Sequence, residues 1–352
     1  MVTPLSTSSS EPATSRQRPT MRHVAALAGV GIKTVSRVIN GEPNVSEATI
    51  AKVRAAAERL NYQPDLHAGN LRRIDRRTQT LGLLVGSVAN PFSGAIHRAV
   101  EDAAAERGVA VFASSLDDDP LRERGIVEAF LRRRVDGLIL TTVNKSQGYL
   151  QHELDQGTPM VFVDREPVGI EADAVVADNV EGAATAARHL IEHGHRRIAY
   201  LGDRVDIQTA GLRKQGFLGV FGDAGIPTHD LPVIDGLHDE ESARVAVERL
   251  LAGDNPPTAI FTSQNLVTIG AVRALRENGA SRRIALVGFD DILLADLLDP
   301  AITVIAQDPQ RIGAIAAERV FDRLDGNTEP ARSWVVRTKL IVRGSGEIRP
   351  DE

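Results

Sequence analysis

Apolar side chains follow two rhythms along this chain, and the change of rhythm near residue 78 divides it. In the first part they recur three and four residues apart over short stretches. Val24, Leu27 and Ala28 predict one face of a helix over 21–28, with Thr20 placed to cap it. Gly29 then supplies the left-handed residue a sharp turn needs. Val30 packs under that turn, and Val35, Val38 and Ile39 predict a second short helix beginning near Gly31. Ile50, Val53, Ala57 and Leu60 give a third, starting at Ser46. From Thr80 the pattern becomes near-continuous apolar runs alternating with amphipathic helices. LGLLVGSV, VAVFAS, VDGLILTTV and PMVFVDREP read as buried strands, with helices from PFSGAIHRAVEDAAAERG, DPLRERGIVEAFLRRR and SQGYLQHELDQG between them. A second set follows through RRIAYLGD, LPVIDG, TAIFTS and RIALVGFDD. Such alternation predicts parallel, doubly wound α/β sheets. About a dozen units are too many for one sheet, so two similar lobes are expected, with crossings near residues 176 and 302. A ligand between such lobes sits at the carboxyl ends of the strands.

Two short helices joined at a glycine form a helix-turn-helix, whose second helix lies in the DNA major groove. Its outward face carries Ile32, Lys33, Thr34, Ser36, Arg37 and Asn40, which can reach base edges or phosphates. Charge sharpens the reading. Residues 1–77 hold twelve Lys and Arg against six Asp and Glu, while residues 78–352 hold 29 against 41. A basic head on an acidic body is expected when only the head meets phosphate.

The runs AGVGIKTVSRVIN and NVSEATIAKVRAAAERLNYQPD resemble the DNA-binding headpiece of the lactose-repressor (LacI/GalR) family of bacterial transcription regulators. Gly31 departs from a common Ser and His23 from a common Asp, and both changes are expected to weaken the headpiece slightly. The resemblance continues through Asn90–Phe92, RRVDGLIL, FVDRE, Asp178–Asn179, HLIEHGHRRIAYLGD, TAGLRKQGF, VGFDD and QDPQRIGAIA, and so covers residues 20 to about 343. It implies an all-α helix-turn-helix headpiece (19–64), a hinge (65–77) and a two-lobed body resembling periplasmic sugar-binding proteins (78–352). In the hinge, Leu71 matches the position of an apolar wedge that kinks operator DNA in the minor groove. Ile32, Lys33 and Arg37 would read bases; Thr20, Thr34, Ser36 and Asn40 would anchor to the backbone. The effector site would draw on Asn90, Phe92, Asp164, Arg213 and Asp290. Their chemistry suits a polyhydroxylated ligand, because carboxylates accept pairs of hydroxyl protons and Arg donates a planar fork. Gln264 replaces a more usual Asn and His238 an aromatic ring, which leaves the ligand's identity open. No leucine heptad follows residue 343, so a homodimer rather than a tetramer is expected.

Composition excludes other classes. With no cysteine there is no disulfide, thiolate metal site or Cys nucleophile, which fits a cytoplasmic protein. Residues 1–18, rich in Ser, Thr and Pro, read as a disordered tail without the apolar core of a secretory signal. No apolar run is long enough to span a membrane. There is no GxSxG elbow and no Walker loop, and no cofactor is expected. One enzyme signal must be weighed. His189-Leu-Ile-Glu192-His193 fits H-x-x-E-H, the alternative being a metal-dependent hydrolase. The same residues also read as the end of an amphipathic helix with His near its C-terminus, favourable to the helix dipole. That second reading is preferred, so no metal is expected.

Overall fold

The computed structural model describes residues 19–62 and 77–350. Leu71 and nearly all of the expected hinge lie outside them. The chain divides into two units, Met1–Thr78 and Gln79–Glu352.

In the first unit, α1 (Met21–Ala28), α2 (Ile32–Ile39) and α3 (Glu47–Arg59) enclose a small core of Val24, Ala25, Val35, Val38, Val53 and Ala56. Gly29 takes φ +66° and ends α1, and the Val30 amide closes the turn on the Ala25 carbonyl at 3.1 Å. The buried stripe of α1 differs from the expected one, since Leu27 is 44% exposed while Ala25 is buried. The face that closes the core runs Met21, Val24, Ala25, Ala28, and Leu27 falls just outside it. The cap also differs. The Thr20 amide donates to His23 Nδ1 at 3.1 Å, so His23 supplies the acceptor side of a capping box. Gly31 caps α2 with backbone alone, whereas the Ser46 hydroxyl accepts from the Thr49 amide at the start of α3.

The second unit holds two six-stranded sheets. The first comprises β1 (Thr80–Val85), β2 (Ala110–Ser115), β3 (Gly137–Leu140), β4 (Met160–Val163) and β5 (Asp173–Ala177), with β11 (Ser333–Val336), in the order β11-β5-β4-β3-β1-β2. The second comprises β6 (Ile198–Leu201), β7 (Val233–Ile234), β8 (Ala259–Thr262), β9 (Ala285–Phe289) and β10 (Thr303–Ala306), with β12 (Lys339–Ile341), in the order β12-β10-β9-β8-β6-β7. Pairing is parallel throughout except for β12 against β10. Apolar residues on both faces of these strands explain the unbroken runs in the sequence.

The chain crosses between lobes three times, not two. After β5, helix α7 (Asn179–Glu192) packs Ala183, Ala186, Ala187 and Leu190 into the second lobe's core. After β10, helix α11 (Pro309–Leu324) returns and buries Ile312, Ala316, Ala317 and Val320 against β3, β4, β5 and helix α4 (Pro91–Glu106) of the first. The third crossing joins β11 to β12, strands of four and three residues too short for a periodic signal. Among the described residues no helix is long and apolar enough to cross a membrane.

Candidate functional site

Within the headpiece, Val35 and Val38 hold α2 against the core and leave Ile32, Lys33, Arg37 and Asn40 exposed on the opposite side, with Thr34 and Ser36 half-buried. Asn40 Nδ2 donates to Ser36 Oγ at 3.4 Å. Arg37 lies 3.6 Å from Glu42, both well exposed. Such a pair contributes at most about 1 kcal/mol, so the guanidinium can be withdrawn by a phosphate or a guanine edge.

In the larger unit, the loops after the strands face one another across a cleft. Asp164 follows β4 and Asp290 follows β9, the topologically equivalent strand of the other lobe. Both take left-handed backbone, φ +69° and +72°. Each is held there by its own amide, bonded to the neighbouring strand at Val175 and Ile305 respectively. A non-glycine residue in this conformation costs of order 1 kcal/mol, and its recurrence at both strand ends marks positions where side-chain direction matters. Burial pushes the Asp164 carboxyl above the usual range. The guanidiniums of Arg165 and Arg213 oppose this, and the nearby carboxylates of Asp290 and Asp118 add to it.

Arg213 comes from α8 (Gln208–Asp223) and is only 5% exposed. Its Nε donates to Asn179 Oδ1 and its Nη1 to the Ser263 carbonyl, both at 2.7 Å, with the guanidinium 3.9 Å above the Phe289 ring. These bonds go to neutral oxygens and not to Asp290, as an ion pair bracing the lobes would require. Asp290 instead accepts from Gln307 Nε2 at 2.6 Å. The cation therefore keeps its charge available to the cleft, where Asp164 and Asp290 stand. The arrangement offers acceptors from both lobes and a planar donor between them, which suits vicinal hydroxyls.

The other expected residues fall around this group. Asn90 caps α4 through the Phe92 amide and accepts from Asn265 Nδ2 across the cleft at 2.7 Å. Phe92 packs its ring on the first lobe's core. Gln264 caps α10 (Asn265–Glu277) and reaches the His238 carbonyl. His238 is bonded through Nδ1 to Asp203 at 2.8 Å. Sequence reasoning missed Asp118, Arg165, Asn179, Asp203 and Gln307. Four lie on different loops and Asn179 opens α7, and only the closed sheets bring them together. Also missed was Glu123, fully buried, which accepts from the Val143 and Asn144 amides and the Tyr149 hydroxyl and so fixes the loop after β3.

The rings of His189 and His193 lie 4.4 Å apart, but Glu192 does not join them. His189 Nε2 meets Glu347 Oε1 at 2.5 Å, His193 Nδ1 lies 2.7 Å from the His189 carbonyl, and Glu192 is exposed. Glu347 also accepts from the Thr303 hydroxyl and the Gly344 amide. His195 bridges Thr258 and the Ile348 carbonyl. His189 and His195 fasten residues 344–348 to the second lobe. Among the described residues no cluster of His, Cys, Asp and Glu could hold a metal ion. Glu347→Ala is expected to lower stability by about 2–3 kcal/mol, since it strands several buried donors at once. Urea denaturation followed by circular dichroism measures this, and a loss below about 0.5 kcal/mol would contradict the fastening role.

Known proteins show the same two parts. The family model described as bacterial regulatory proteins, lacI family, matches residues 20–65, and that of the periplasmic binding protein-like domain matches 187–346. The HTH-type transcriptional regulator GalR of Escherichia coli K12 is 33% identical over 93% of this chain and 95% of its own. The transcriptional regulator CelR in complex with cellobiose is 33% identical, covering 93% of this chain and all of the other, at a TM-score of 0.68. The lac repressor dimer bound to operator and the anti-inducer ONPF is 26% identical over 94% of this chain and 99% of the other, at a TM-score of 0.83.

Proposed function

Because this chain belongs to the lacI family of bacterial regulatory proteins, we propose that it is a homodimeric, cytoplasmic transcriptional repressor whose grip on operator DNA is set by a sugar or sugar-like effector held between its lobes. One observation carries the effector reading: Asp164 and Asp290 reach the cleft from equivalent strand ends of opposite lobes, with the buried Arg213 fork between them. A ligand that engages both carboxylates favours one lobe arrangement over another, which is what allosteric control requires. Asn90, Phe92, His238 and Gln264 line its approaches. A coupling of roughly 1–3 kcal/mol would change operator affinity about 5–150-fold. The solved relatives support this, one being a dimer on operator DNA and another a complex with a disaccharide.

On the DNA side, residues 19–64 form the reader and 65–77 the connection, with Leu71 as the minor-groove wedge. Ile32, Lys33 and Arg37 contact bases; Thr20, Thr34, Ser36 and Asn40 contact the backbone. Two headpieces read adjacent half-sites of a pseudo-palindrome. Selection from random duplexes, followed by operator anisotropy in the presence of a panel of sugars, tests the whole reading. Failure to enrich any sequence would overturn it. Arg37→Ala is expected to weaken the selected operator by about 1–3 kcal/mol while changing non-specific duplex binding much less. Equal losses on both would refute base reading by this residue.

A further inference from the structure

Apart from the group around Arg213, the lobes touch through Ile207 and Ala210 of the second, which pack into the first lobe's core, and through polar contacts. Asn265 bonds Asn90, and the Gln208 amide bonds the Glu166 backbone in both directions. Neither contact titrates. The third contact does. Asp118, in the loop after β2 of the first lobe, is buried, with one carboxylate oxygen taken by Arg165 Nη2 at 2.8 Å. Its other oxygen faces His238 Nε2 of the second lobe at 3.9 Å, and its carbonyl accepts from Arg204 Nη1 of that lobe at 3.3 Å. His238 thus stands between two carboxylates, Asp203 on its own lobe at Nδ1 and Asp118 on the other at Nε2.

We propose that Asp118 and His238 form a titratable latch between the lobes, engaged when the imidazole is charged. Of the charged groups facing the ring, Arg204 opposes this and the carboxylates of Asp203 and Asp118 support it. Arg204 is bound bidentately to Asp206, which offsets its repulsion of the imidazolium. Arg165 is committed to Asp118 Oδ1 and the Thr142 carbonyl, leaving Oδ2 for His238. Asp239, next in the chain, spends its carboxylate on the Ser242 amide. Gln264 meets only the His238 carbonyl. The Asp203 carboxylate holds the imidazolium above the usual His range, burial opposes it, and Asp118 adds to the rise.

The sign of the switch follows from which lobe each carboxylate rides on. Opening leaves Asp203 in place and removes Asp118, so the His238 pKa is higher with the lobes closed than open. Protonation therefore favours closure, and the preference is lost as pH rises through the closed-state value. Each unit of difference between the two states changes the closed-to-open ratio about tenfold. The latch depends on lobe geometry alone, so its failure would leave the effector reading standing.

The chain has no cysteine, so one introduced in each lobe can be labelled cleanly. Exposed Glu128 in the first lobe and Asp254 in the second serve, and double electron–electron resonance reads the distance between spin labels on E128C/D254C without effector. The closed population is expected to fall about three- to tenfold between about pH 6 and pH 8.5. His238→Gln removes the slope and leaves the open distance at both ends. His238→Arg keeps the closed distance at both, which tests the charge separately from any damage done by removing the ring. A pH-independent distance in the His238 protein, or an unchanged slope in His238→Gln, overturns the proposal.

Discussion

Arg213→Ala leaves operator affinity in place and removes the effector's influence on it. The guanidinium is buried beside Asp164, whose charge Arg165 also opposes, and it is anchored through Asn179 and Ser263. Removing it withdraws the planar donor from the ligand and leaves Arg165 alone to offset the crowded carboxylates. A buried, charge-assisted pair of bonds is worth about 3 kcal/mol, so effector affinity should fall at least about 100-fold. Arg213→Lys keeps the charge without the fork and should recover only part of the response. Operator anisotropy, titrated with a sugar that releases or tightens the unmodified protein, makes the measurement. A variant that responds at ordinary concentrations would sink the pocket assignment.

Gly216→Ala should be among the most damaging single-methyl additions in the molecule. A Cβ built at Gly216 would stand 2.0 Å from the Val180 carbonyl oxygen and 2.7 Å from its carbon, all backbone of α7. Neither atom can rotate away, so α7 and α8 must separate and reopen a core that includes Phe217 and Leu190. Overpacking of this kind costs about 3 kcal/mol or more. Gly219, one turn further along the same helix, has open space at that position. Gly219→Ala should therefore be neutral or gain up to about 1 kcal/mol from helix propensity. Urea unfolding of the two variants side by side decides the matter, and equal stabilities would refute the close approach.

How much of this was legible beforehand depended on the range of the interaction. The headpiece helices could be read because their caps, turns and apolar spacing lie within a few residues of one another. Asp164 and Asp290 could be placed at strand ends, since each directly follows an apolar run. Their left-handed backbone could not, because it is imposed by bonds to Val175 and Ile305 on neighbouring strands. Asp118 and Asp203 look like ordinary loop aspartates; the approach of the lobes brings Asp118 to His238, and the loop after β6 brings Asp203 to it within the second lobe. The H-x-x-E-H stretch was read as a helix end and not as a metal site, but the partner of His189, Glu347, lies 158 residues further along and could not be named. The error at Leu27 was one of phase, because an eight-residue helix offers two adjacent stripes that both contain Val24.

The interleaved crossings bear on how the polypeptide matures. Ile139, Val161 and Ile96 are covered by a helix that begins at Pro309, and both sheets gain their last strands only from residues 333–341. A nascent chain leaving the ribosome consequently exposes apolar surface of the lobe it made first until nearly all of the protein has been synthesised. That is a long wait for contacts so distant in sequence, during which a chaperone would find both lobes unfinished.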